Sequence, residues 1–267
     1  MEEKKKQKMQ TSETFLLSAI LAVSGGFQDA YTYNVRGEVF SNAQTGNVVL
    51  MSQHFLMGDW YKALHYLFPI VAFAFGVLVA EQIGHAFGYY DYGEEVGMGA
   101  FYRSKDAVAT YIAGYVRMAF EGGMLYTISE RGEGYIAYKV PGQKLKLRAG
   151  MQLVKALFRS MSLKELIRMG QGVSKGGTSL QDRMKKEKKP YIFVGMVCVP
   201  EQYQGQGYMR KVMELAYAEG NRLQVPVLLE TDAKSKCDKY MHLGMQLDGV
   251  RDLGKYGKLY DLVKYPD

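Results

Sequence analysis

The chain has 267 residues, 48% of them hydrophobic, a formal net charge of +7 and two cysteines. The basic surplus comes in part from Lys4-Lys5-Lys6 and from Lys185, Lys186, Lys188 and Lys189. Neither run is interleaved with aromatic rings, so both read as solvated and nucleic acid is not an expected partner. Cys198 and Cys237 share no redox or metal-ligand spacing, which argues against a disulfide framework and leaves no expected metal site.

In chain order, composition changes sharply near Gly88. Up to that point Phe, Leu, Val and Ala dominate, and charges are few after the first eight positions. The run FLLSAILAVSGGF, Phe15 to Phe27, is followed by Tyr31 and Tyr33, placed as an interfacial belt would be. A second uncharged run extends from Tyr66 to Ala80, with Lys62 before it and Glu81 after it. Between them, Val39 to Gly58 is amphipathic through Asn42, Gln44, Asn47 and Gln53. Gly25 to Asp29 offers no small-x-small cleavage site, which argues against a signal peptide. Two runs predict two membrane helices, and three if the middle segment also crosses. With Lys4-Lys5-Lys6 held inside by the positive-inside rule, two crossings return the chain to the cytoplasm. The expected location is therefore the membrane, with the C-terminal domain cytoplasmic.

The stretch Gly25-Gly26-Phe27-Gln28-Asp29-Ala30, followed by Phe40-Ser41-Asn42-Ala43-Gln44-Thr45-Gly46-Asn47, resembles the YoaK-type integral membrane proteins of unknown function. The resemblance extends over residues 12–85 and makes residues 1–88 a partial membrane domain. It implies that roughly the first third of that family's spans is present, so this piece, with Gln28 and Asp29 unshielded from lipid, either oligomerises, pairs with another membrane protein, or is a nonfunctional remnant.

Residues 89–267 alternate charged and apolar positions, as a water-exposed α/β domain does. Val108, Tyr111, Ile112, Tyr115, Val116 and Ala119 predict a helix over 105–120, stopped by Gly122-Gly123. Strands follow at 124–129 and 134–140 around a charged turn. A helix over 145–168 restarts at Leu163 through the capping-box pair Ser162 and Glu165. The Gly-, Ser- and Lys-rich stretch 170–189 reads as a mobile loop. A strand at 191–199, a helix over 208–219 ended by Gly220, a strand at 225–230 and a helix over 234–243 come next. Strands at 245–251 and 258–265 close a mixed sheet with flanking helices.

The segment Val199-Pro200-Glu201-Gln202-Tyr203-Gln204-Gly205-Gln206-Gly207-Tyr208-Met209 joins a strand to a helix. Glycines in such a turn expose successive N–H groups at a helix N-terminus, which suits a phosphate. The missing Gly-Lys-Ser/Thr excludes a Walker loop. The segment resembles the signature V-x-P-x-x-Q/R-x-x-G-x-G/A of the GNAT acetyltransferases, matched at Val199, Gln204 and Gly207. Pro200 stands one place early, with Glu201 at the family's proline position, and Met209 replaces the last Gly/Ala. Leu229-Glu230-Thr231, Tyr240 and Gly244-Met245 resemble the family's downstream pattern.

That resemblance implies a GNAT-like fold whose usual first strand and helix are missing, replaced by the membrane-like piece. It implies acetyl-CoA as co-substrate and acetyl transfer by direct attack of an amine, without metal. Main-chain groups of Met196, Val197 and Cys198 would meet the pantetheine amides, and the amides of Gln204, Gly205, Gln206, Gly207, Tyr208 and Met209 the pyrophosphate. Tyr240 would protonate the departing thiolate. Glu230 is the candidate base, with a salt-bridge or capping carboxylate as its alternative role and water as the alternative base. Tyr89, Tyr90, Tyr92, Phe101 and Tyr102 either line an acceptor pocket or pack. Two other readings stand beside the enzyme: a membrane protein whose tail binds CoA or a partner without catalysis, and a noncatalytic remnant.

Overall fold

A computed structural model describes residues 15–145 and 147–267, so the Lys4-Lys5-Lys6 cluster lies outside the described residues. The chain divides into two compact units between Val79 and Ala80.

The first unit holds α1 (Phe15–Val35), α2 (Gln44–Leu56) and most of α3 (Trp60–Gly88). Its two motifs are tied by side-chain bonds. Asp29 Oδ1 accepts from the Asn42 N–H at 2.7 Å and from Ser41 Oγ at 3.3 Å, while Asn42 Nδ2 donates to Gln28 Oε1 at 3.0 Å. Asn47 is fully buried; it accepts from the Phe40 N–H at 2.8 Å and donates to Phe40 O at 2.7 Å and Gln44 Oε1 at 2.9 Å. Polar residues in an apolar segment are thus paired with one another, across the two motifs at Asp29 and Gln28 and within the second at Asn47.

Among the described residues, one helix is long and apolar enough to cross a membrane: α3, with 29 residues and a mean hydropathy of 2.1 over its apolar window. Beyond this one, the expected set of two or three spanning helices is not confirmed among the described residues. At 13 residues α2 falls short of the roughly 20 that a span needs, and α1 carries Gln28, Asp29 and Asn34 in its second half.

The second unit is α/β. α4 (Lys105–Glu121) starts at Ser104, whose hydroxyl accepts the Ala107 N–H at 3.1 Å, and it buries Val108, Ile112, Val116 and Ala119 as the spacing predicts. The strands are β1 (Leu125–Thr127), β2 (Tyr135–Lys139), β3 (Ile192–Cys198), β4 (Val227–Thr231), β5 (Gln246–Asp252) and β6 (Lys258–Lys264). They form one six-stranded sheet in the order β1-β2-β3-β4-β6-β5, parallel at β3–β4 and antiparallel elsewhere. One face packs against α8 (Tyr208–Leu223) and α9 (Lys234–His242), through Val212, Met213 and Ala216 on Val194, Val227, Leu229 and Leu262.

Two expectations change here. The stretch 170–189 is not a loop: α5 (Leu147–Ser160) is followed by α6 (Leu163–Lys175), which runs into it, and by α7 (Leu180–Lys186). Ser162 and Glu165 form the expected capping box, and Ser179 caps α7 by accepting the Asp182 N–H at 3.1 Å. Leu180 and Met184 then anchor α7 on Leu228 and Val263, burial that the local composition does not advertise. Nor does Gly220 end α8, which continues to Leu223 and stops at Gln224 with φ 53°. Gly220 instead permits close packing, since a Cβ there would lie 2.8 Å from Val227 Cγ2.

Candidate functional site

β3 and β4 pair over three positions only, Ile192–Val194 with Val227–Leu229, although β3 continues to Cys198 and β4 to Thr231. On its other side β3 pairs Met196 with Ala137 and Val194 with Tyr138, so Gly195 is an extra residue, a β-bulge. A bulge bends its strand and can end pairing on the opposite side. A Cβ there would fall 1.9 Å from Tyr115 Oη, so any larger residue requires that side chain to move. Met196, Val197 and Cys198 thus meet β2 on one side and no strand on the side of β4.

The chain leaves β3 through a short 3-10 turn, Glu201–Tyr203, and enters α8 through the glycine loop. Gly205 and Gly207 have φ of 74° and 78°, the left-handed region that side-chain-bearing residues resist. Gln204 Nε2 donates to Val199 O at 3.1 Å and Gln206 Nε2 to Gln202 O at 3.0 Å, which holds the loop from within. Among the described residues, the N–H groups from Gly205 to Met209 donate to no backbone or side-chain acceptor. They stand at the positive end of a 16-residue helix, an arrangement whose donors and dipole favour negative charge. Met209, the departure from the motif, packs against the core under α8.

Tyr240 lies on α9 with 8% of its surface exposed. Burial first, then the Asp232 carboxylate, raise its phenol above the ordinary value, and Tyr217, Cys198 and Tyr90 add to the shift. Burial pushes the Cys198 thiol up to about 12, so it holds no thiolate at neutral pH. Cys237 is fully buried on α9, and His242 is exposed at its end.

Glu230 is held differently. Its carboxylate meets Arg251 Nη2 at 2.8 Å, and Arg251 also grips Asp261 through two bonds of 2.9 Å. Burial raises the Glu230 carboxyl despite the Arg251 guanidinium. Alternation along β4 puts Glu230 on the face of Leu228, whereas Tyr240 packs with Leu229 on the other. The salt-bridge role foreseen for Glu230 is present, and the two candidate catalytic side chains do not share a face.

The sequence reading missed a cluster at the start of α9. Asp232 accepts from Tyr92 Oη at 2.7 Å, the Met98 N–H at 2.7 Å and Lys236 Nζ at 2.9 Å. The Lys236 ammonium lies 4.2 Å and 4.4 Å from the ring centroids of Tyr90 and Tyr92. Glu95 accepts the Lys234 N–H at 2.6 Å and caps the helix. Tyr90 and Tyr92 therefore enclose a lysine of the chain itself, and Phe101 stacks on Tyr256 at 4.5 Å. The signal available beforehand was the i,i+4 pair Asp232 and Lys236.

For Asp232 burial alone would raise the carboxyl, but Lys236, Tyr92 and the Met98 N–H outweigh it and hold it below the ordinary value. Its stabilising contribution is complete above the unfolded aspartate value near 4 and is lost as pH falls through the lowered folded value. Asp232→Asn should accordingly flatten the acid limb of the melting temperature measured against pH. An acid limb identical to that of the wild type would rule this out.

Residues 17–128 match the profile of a family described as "Protein of unknown function (DUF1275)", a match that runs through α4 and β1. No match emerges among curated proteins. The solved structures that align with the chain include an N-acetyltransferase from Staphylococcus aureus, 14% identical, with a TM-score of 0.41, covering 71% of this chain and 94% of that one. Arylalkylamine N-acetyltransferase 2 from Aedes aegypti is 11% identical, with a TM-score of 0.42 and coverage of 71% and 95%. A polyamine N-acetyltransferase from Drosophila melanogaster is 15% identical, with a TM-score of 0.42 and coverage of 71% and 96%. The chain is thus similar to a family of unassigned function across 17–128 and, in the structures it aligns with, to N-acetyltransferases.

Proposed function

We propose that the protein is an N-acetyltransferase that moves the acetyl group of acetyl-CoA to an amine, anchored to a membrane through α3. The observation that carries this reading is the early end of the β3–β4 ladder beside a loop of unengaged N–H groups. The gap offers main-chain groups of Met196, Val197 and Cys198 to the pantetheine amides. The loop from Gln204 to Met209 offers its donors and the helix dipole to the pyrophosphate.

In this reading the neutral amine attacks the acetyl carbonyl carbon, and the tetrahedral adduct collapses with cleavage of the C–S bond. Tyr240 gives its proton to the leaving thiolate, a role suited to a phenol kept protonated by burial. The amine loses its proton either to Glu230, the candidate side-chain base, or to a water chain that replaces it.

The test is titration of the detergent-solubilised full chain with CoA by calorimetry, followed by acetyl-CoA consumption over a panel of polyamines, aminoglycosides and peptide N-termini. Saturable binding that Gly207→Val weakens at least tenfold is the expected result, since that residue must hold a left-handed φ. Absence of CoA binding by the wild type sinks the proposal. The pairing of Glu230 with Arg251 favours a second reading, a tail that binds CoA without turnover. Binding with no acetylated product across the panel would establish it.

A further inference from the structure

Outside the acetyl-transfer site, an open cleft of about 380 Å3 lies between the last turns of α3, the outer face of α4 and one face of α5. Its floor is made of small residues. A Cβ on Gly84 would lie 2.7 Å from Ala109 O, and one on Gly114 would lie 2.0 Å from Ala156 Cβ, so the helix backbones nearly touch. With Ala109, Ala113, Gly114 and Ala156 at these positions, the space above the contact stays unfilled, and long charged side chains form the walls.

Three of those walls are cations. Lys155 and Arg159 stand one turn apart on α5, and Arg117 faces them from α4. Arg117 Nε is sealed from solvent and meets no acceptor among the described residues. Neither Lys155 nor Arg159 forms a side-chain ion pair among them. The carboxylates that also line the cleft, Glu81 and Asp106, do not pair with them, and Asp106 is taken by Tyr89 Oη at 2.6 Å. The contrast with Arg251, which is buried with two carboxylates, is informative. Three cations that line one cleft without a carboxylate partner among the described residues can take an anion from outside the chain.

We infer that this cleft binds a single phosphate group, as free phosphate or as the headgroup of an anionic lipid, held by Arg117, Lys155 and Arg159. The fork of Arg117 and the point charge of Lys155 suit phosphate oxygens. Glu81 and Asp106 repel a second anion and so fix which end the phosphate occupies. Glu81 and His85 belong to α3, the one apolar helix long enough to span among the described residues, which gives the lipid headgroup its plausibility as a source. The inference is independent of the acetyl-transfer reading.

The test uses the full chain in an uncharged detergent. Three probes are titrated by calorimetry: inorganic phosphate, dioctanoyl phosphatidic acid below its micelle concentration, and dioctanoyl phosphatidylcholine as a control. At least one of the first two should bind and the control should not; which one binds identifies the source. Arg117→Gln should weaken that binding tenfold or more. Lys155→Gln with Arg159→Gln, both reaching toward solvent, should do the same and serves if Arg117→Gln fails to fold. CoA binding, assigned to the loop at Gln204–Met209, should be unchanged in these variants. Failure of both anionic probes to bind, or binding that neither variant weakens, overturns the inference.

Discussion

Arg251→Met should destabilise the second unit by about 3–5 kcal/mol, the cost of leaving buried charge without its partner. Arg251 is 7% exposed and Asp261 2%, and the guanidinium also holds Glu230. The Leu180 N–H approaches Asp261 at 3.4 Å but brings no positive charge, so a stranded Asp261 carboxylate would stay uncompensated. Chemical denaturation followed by far-ultraviolet circular dichroism measures the effect. Glu230→Gln should cost much less, because that side chain keeps 26% exposure and water can replace its partner. Equal losses in the two variants would show that the Glu230–Arg251 pair, and not the Asp261–Arg251 pair, carries the network, since Gln keeps the shape of Glu and removes only its charge.

Tyr240→Phe should lower the turnover number by about 100-fold or more while leaving CoA affinity intact, the signature of a lost general acid. Phe keeps the apolar body that packs with Leu229 and Val212, so the fold is preserved. The pH dependence sharpens the test. Because burial and Asp232 raise the phenol, it stays protonated through and beyond its ordinary value near 10. A basic limb in the wild-type profile near neutral pH must then belong to another group and should persist in Tyr240→Phe. Full activity in the variant would remove Tyr240 from the chemistry.

What could be read from the residues beforehand depended on range. The loop at Gly205 and Gly207 was legible because a left-handed φ is a local demand that glycine alone meets cheaply. The capping box at Ser162 and the face of α4 were legible for the same reason, since both depend on spacing within one helix. The bulge at Gly195 was not: within an apolar strand a missing cross-strand partner leaves no periodic trace. Nor was the bond from Tyr92 to Asp232, which joins residues 140 positions apart. α7 was hidden because its composition is that of a loop, and its stability rests on Leu180 and Met184 reaching a distant strand pair. For Glu230 both roles were foreseen, and it was the distant Arg251 that decided what it touches.

The rims of the sheet bear on how the protein behaves at high concentration. One rim is β1, which offers only three residues. The other is β5, where the pairing slips between Leu247 and Gly249, so that Asp248 has no cross-strand partner and its carboxylate is bound by Arg183. A short strand on one side and a kinked, charged one on the other make poor templates for an incoming strand. Copies of this chain should therefore resist edge-to-edge aggregation, and any fibre-like association on storage would signal prior unfolding of the sheet.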